Sequence, residues 1–192
     1  MNRIEKRAMA NAKLVALSGT KADLSAGQKS IDTTLYVIGE VTKGGTVKIF
    51  DKLTEQNRRA GLTNFDGNQL NRGSYAVLDG VCIEVATSTD QNIDGRGLDF
   101  KEDADAAIKA ADFVFMSDTE IVADMPVNEA HNPNTTRSND EKFRELSHLP
   151  VIESQKINEI TFEFPQGMSP DTTDSKRHFV KISFRAFKTV TR

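Results

Sequence analysis

The longest regular pattern in the chain is a period-2 alternation over residues 178–190. Val180, Ile182 and Phe184 fall on one side of it, and Lys181, Ser183 and Arg185 on the other. Successive side chains of an extended strand point to opposite faces, so the run predicts a strand with one face buried. Phe179 and Phe187 break the pattern by sitting on the polar parity. Two readings fit: a β-bulge that shifts the parity, or a strand that crosses from one sheet to another.

Further runs of the same kind precede it. Residues 157–164 alternate Ile160, Phe162 and Phe164 with Thr161 and Glu163, and stop at Pro165 and Gly167. Residues 75–87 set Val81, Ile83 and Val85 against Cys82, Glu84 and Ala86, with Asp79 and Gly80 as a bend, which predicts one apolar face. Residues 35–42 and 46–50 flank Lys43, Gly44 and Gly45. Adjacent glycines supply the positive φ of a tight turn, so these two runs predict a hairpin. A second hairpin, 113–116 with 120–123, is predicted around Ser117, Asp118 and Thr119.

Helical patterning is confined to residues 2–17 and to short stretches at 53–60, 100–111 and 141–147, with loops at 63–73, 90–97 and 128–139. The chain therefore holds eight or nine strands, no internal repeat, and no strand-helix alternation of the parallel type. The predicted class is mainly β, an antiparallel jelly-roll sandwich or barrel of about eight strands. It carries a basic N-terminal helix and one or two short inserted helices. Residues 1–30 form an arm and linker, and residues 31–192 the β domain.

At 192 residues one domain can bury a sizeable core without staples. Cys82 is the only cysteine and cannot form an internal disulfide, so the fold is expected not to require an oxidising compartment. No run of about eighteen apolar residues exists, and the basic start lacks the apolar stretch and cleavage site of a signal peptide. Neither a membrane-spanning nor an exported chain is expected.

Charge is unevenly spread. Residues 1–30 hold six Lys/Arg against two acids, residues 175–192 six against none, and the remainder 13 against 26. Basic ends around an acidic body suit self-association, or aim the ends at phosphate or lipid headgroups; solvated charge is the plainer reading. In residues 2–17, Ile4, Ala8 and Val15 share a helical face with Leu14 beside them, interrupted by Asn11. So thin a stripe predicts a helix that orders only by lying on something. Arg3, Ile4, Lys6, Arg7, Lys13 and Leu14 are the candidate residues of an assembly arm, suited to an anionic surface or an acidic groove. A helix packed on its own barrel is the competing reading.

Motifs for chemistry fail one by one. Asp90, Asn92 and Asp94 with Gly95 match the first half of a calcium loop, but the position of the bidentate glutamate holds Lys101. His131, His148 and His178 are far apart and fit no metal spacing, and read as surface or strand-end histidines. No nucleophile elbow and no phosphate loop occurs. Glu102, Asp103 and Asp105 read as helix-start acids, and Cys82 as a small hydrophobe. No enzyme activity, metal or cofactor is expected.

The order of a basic N-terminal helix, a hairpin, the EIVADMP strand ending at Pro126, the INEITFEFPQGM strand and the terminal HFVKISFRAFKTV strand resembles the jelly-roll capsid proteins of icosahedral phages. The likeness is greatest to those with an internal membrane. It is one of pattern over most of the chain. The resemblance implies a virion coat subunit that self-assembles into a shell. Its partners would be copies of itself and other virion proteins, with the arm facing membrane, packaged nucleic acid or a neighbour. The chain is short for the double barrel frequent in that group. The alternative is a calcium-dependent or carbohydrate-binding β-sandwich module.

Overall fold

The computed structural model describes residues 3–19, 29–41, 43–49, 60–66, 68–133 and 141–190. Helix α1 (Arg3–Ser18) precedes strands β1 (Lys29–Val41), β2 (Thr46–Lys48) and β3 (Ala76–Ser88). Helix α2 (Ala106–Ala110), strands β4 (Asp112–Ser117) and β5 (Glu120–Pro126) and helix α3 (Val127–Ala130) follow. The chain continues through β6 (Arg144–Glu145), β7 (Val151–Ile152), β8 (Asn158–Glu163) and β9 (Arg177–Val190).

The strands form two antiparallel sheets. One runs β1-β9-β3-β6 with β7 also on β3, and the other runs β2-β8-β4-β5. The protein is thus mainly β, with the core between the sheets. Phe115 of the second sheet lies 4.9 Å, ring to ring, from Phe184 of the first, and Phe113 meets Phe162 edge-on at 6.1 Å. Such contacts add to the burial of large aromatic surfaces.

β9 is the spine of the first sheet. It pairs with β1 without a break from Val190 opposite Lys29 to His178 opposite Val41. Its wrong-parity phenylalanines therefore reflect neither a bulge in β9 nor a crossing between sheets. They are apolar because the outer face is covered at both ends. Phe187 lies in a cluster with α1 residues, and Phe179 packs against the loop at Gly95 and under the Arg177 guanidinium, 5.0 Å away. The bulge sits in β3 instead, between Leu78 and Gly80. β3 is buried on both faces from Ala76 to Ala86, not on one.

The second hairpin is present as β4 and β5, turning at Asp118, whose φ is 59°. The first is not a hairpin. β1 pairs with β9 and β2 with β8, so the turn at Gly45, with φ 81°, carries the chain from one sheet to the other. A glycine turn reverses direction, but the longer ladder on β9 decides the pairing. The helix expected over 100–111 shrinks to α2, capped by the Asp105 carboxylate accepting from Ala107 N at 2.8 Å. The segment before it is held along β3, where Glu102 bridges Val85. The helical turns expected at 141–147 give way to turn and β6, because β3 offers an edge to pair with at Gly80 and Val81. The 128–139 loop begins as α3. Residues 134–140, residues 53–59 of the helix expected over 53–60 and residues 20–28 of the linker expected over 18–30 lie outside the described residues.

Candidate functional site

α1 lies on the outer face of the first sheet. Its buried side is Lys6, Ala10 and Leu14, one turn apart, with Leu17 partly covered. Ala10 and Leu14 pack with Tyr75, Val77, Leu149 and Phe187. The expected stripe of Ile4, Ala8 and Val15 points outward; Ile4 is 81% and Val15 69% exposed. The helix turned because a lysine stem can line an apolar surface when its ammonium finds a partner. Lys6 Nζ lies 2.6 Å from Glu145 Oε1. That hydrogen bond holds the Glu145 carboxyl below its ordinary range.

The other arm candidates divide in the same way. Lys13 Nζ donates to the carbonyls of His148 and Leu149 at 2.7 and 2.8 Å. Arg3 lies 3.4 Å from Asp32. Ser30 donates to Asn11 Oδ1 at 2.7 Å, which gives the interrupting Asn11 a partner. Arg7 and Ile4 remain on the exposed side. Lys6, Lys13 and Leu14 thus face the body of the molecule.

Beside α1 the same face of the sheet opens into a polar trough of about 520 Å³. Its floor comes from the polar parity of β9, namely Lys181, Ser183 and Arg185. The β3 bulge adds Asp79, whose Oδ1 accepts from Arg185 Nε at 2.7 Å. Glu84 accepts from Lys142 and lies 3.7 Å from Lys181 Nζ. Phe143 forms a wall beneath the Arg185 guanidinium, 5.5 Å from the ring centre. Asp79 and Glu84 are almost fully buried, at 1% and 7% exposure. Each keeps one oxygen, Asp79 Oδ2 and Glu84 Oε2, without a hydrogen bond.

Sequence reasoning singled out none of these trough residues as a group. The available signal was the polar stretch of β9 bracketed by Phe179 and Phe187, which marks an outer face covered at its ends and open in the middle.

Residues considered for chemistry are engaged structurally. Asp94 accepts from Arg96 Nε at 3.0 Å, which lowers its pKa, and Asp90 Oδ1 accepts from the Asn92 amide at 2.9 Å in a turn. His178 stands at the start of β9, a strand-end position as expected, and is buried, while the His131 side chain is 4% exposed rather than on the surface. His131, His148 and His178 each hold a backbone carbonyl, of Ile83, Val122 and Asp171. A carbonyl only accepts, so those ring nitrogens carry the proton. His131 Nε2 lies 3.1 Å from Ala104 N and 3.3 Å from Asp103 Oδ1. Glu102 accepts from Thr87 Oγ1, and Asp103 from Lys109. Burial pushes the Cys82 thiol up to about 12, with Glu84 adding to it, so the thiolate nucleophile is suppressed.

Among the described residues no group of three or more His, Cys, Asp or Glu is placed to hold a metal ion, and no helix is long and apolar enough to cross a membrane. No protein-family model, curated protein or solved structure matches the chain.

Proposed function

We propose that the protein is a virion structural subunit of jelly-roll architecture that self-assembles into an icosahedral shell. The observation that carries this reading is the pairing order. β4 pairs with β5, β3 with β6 and β7, β2 with β8, and β1 with β9, so the chain folds back on itself about the Asp118 turn. Since β6 and β7 both sit on the same edge of β3, they count as one position, which leaves eight. Joining β9 to β3 and β8 to β4 then rolls that long hairpin into two facing four-position sheets. This is the arrangement of a double Greek key, and it supports the jelly roll over other sandwiches.

The surface agrees with repeated self-association. Ile4 and Val15 on α1, and Ile121 and Ile157 beside the Asp118 turn, are large apolar side chains left more than half exposed. Copies of the chain, and other virion proteins, are the partners proposed for them. α1 keeps Arg7 and Ile4 outward for a neighbour, lipid or packaged nucleic acid. The subunit acts by binding, and its place is the virion. The test is direct: purified protein is examined by light scattering and electron microscopy over a range of salt and concentration. Closed particles of many copies are expected. A strict monomer under every condition overturns the reading.

A further inference from the structure

We propose that the outer face of the second sheet receives the exposed side of α1 from a second copy of the chain, so that copies stack head to tail. Residues directly opposite one another on neighbouring strands share a face of the sheet. Phe113 and Phe115 are buried in the core opposite Phe162 and Ile160, so Asp112, Val114 and Met116 point outward. Beside them on that face stand Glu163 and Thr161 of β8, and Asp124 and Ile121 of β5. The face is acidic at one end, where Asp112, Glu163 and Asp124 are exposed. It is apolar at the other, where Ile121 is 61% exposed opposite Met116 and the nearby Glu159 is held by Lys48 at 2.7 Å.

The acidic end calls for a cationic neighbour. Asp112 lies directly opposite Glu163, and like charges so placed repel. Among the described residues none of Asp112, Asp124 and Glu163 forms an ion pair. The exposed side of α1 carries the matching order. Arg3 and Arg7 stand exposed in its first half, where the helix N-terminus adds partial positive charge. Arg7 forms no ion pair among the described residues, and Arg3 has only the exposed contact with Asp32. Val15, near the far end, is 69% exposed, and the small Ala8 and Ala12 between them allow a close approach to a sheet.

The spacings agree. From Arg7 to Val15 the helix rises about 12 Å, and from Asp112 to Met116 the strand advances about 13 Å. Laid along β4 with its N-terminus over Asp112, α1 sets its arginines against the acids and Val15 against Met116 and Ile121. The reverse direction would set the arginines on the apolar end. α1 and the receiving face are different surfaces, so the contact is heterologous and repeats from copy to copy, closing into a ring or running on as a filament. It rests on the self-association proposed above, and not on closure of a shell.

Full-length protein is followed by sedimentation velocity over a range of salt and concentration, with circular dichroism to show that each variant is folded. Association of the wild type is expected to weaken as salt rises. Arg7→Glu on the helix, and Asp112→Lys with Glu163→Lys on the sheet, are each expected to weaken it about tenfold. Asp124→Lys serves in place of the double variant if that one does not fold. An equal mixture of the helix and sheet variants should recover wild-type association, because each then meets opposite charge on the other. Oligomers that obey this pattern without closing into particles support the contact and remove the shell. Variants that associate like the wild type, or a mixture no stronger than its components, overturn the contact while leaving assembly intact. If Arg7→Glu loses only binding to phosphatidylglycerol vesicles, with association unchanged, the helix belongs to lipid and the contact is again overturned. A wild type that stays monomeric throughout overturns both the contact and the assembly.

Discussion

The ammonium of Lys6, with the residue only 4% exposed, depends on a single carboxylate. Protonating Glu145 would leave that charge buried and unpaired, which is far more costly than losing a surface pair. The Glu145 pKa is depressed from an ordinary 4.5, chiefly by the hydrogen bond from Lys6. A depressed carboxyl contributes stability that is present above its unfolded value and lost as pH falls through the lower folded one. Hydrogen-exchange protection of the α1 amides is therefore expected to hold steady down to about pH 4.5 and to fall below it. In Glu145→Gln the protection should already be reduced at neutral pH and show no such step. A protection profile that is identical in the two proteins would remove Glu145 as the anchor. None of this was legible from residues 2–17, where Lys6 reads as a polar position. Its partner enters the chain only with β6.

At the scale of elements, the short strand β6 is held against β3 because one residue there has no side chain. A Cβ built on Gly80 would lie 2.9 Å from Phe143 Cβ and 3.3 Å from the Arg144 carbonyl. Gly80→Ala must push the 143–145 segment away, and overpacking of this kind costs about 1–3 kcal/mol. Urea denaturation should show a lower midpoint with an unchanged slope, and an unaltered midpoint would mean that the segment yields freely. The sequence marks Gly80 as a bend, which is close to the bulge that is present. It does not reveal which segment approaches there. β8 and the middle of β9 were readable because their alternation is local, and β4 and β5 because turn residues stand between two short apolar runs. The helix expected over 100–111 is present only as α2, because the segment before it, at Glu102, is held along β3 instead.

For the molecule as a whole, the main core lies between the sheets, and α1 closes a separate apolar cluster on the outside. A chain lacking residues 1–19 is expected to fold, since the inter-sheet phenylalanines do not depend on α1. It should nevertheless bind a hydrophobic dye through the uncovered Tyr75, Val77 and Phe187. Its melting temperature should fall by several degrees, as losing about 2 kcal/mol from Leu14 alone would produce in a protein of this size. An unfolded product would show that the helix belongs to the folding core. The sequence by itself determined where most of the longer strands run, though not β6 or β7, that the ends are basic around an acidic body, and that no motif of known chemistry is present. Periodicity, charge and motif spacing are local properties. Only the tertiary structure decided that β1 pairs with β9 rather than β2, which side of α1 is buried, and that Asp79, Glu84 and Lys181 share one trough. A period-2 run states that a strand has two faces, but not what covers each. Partners distant in the chain are chosen by the competition of ladders and surfaces for one another.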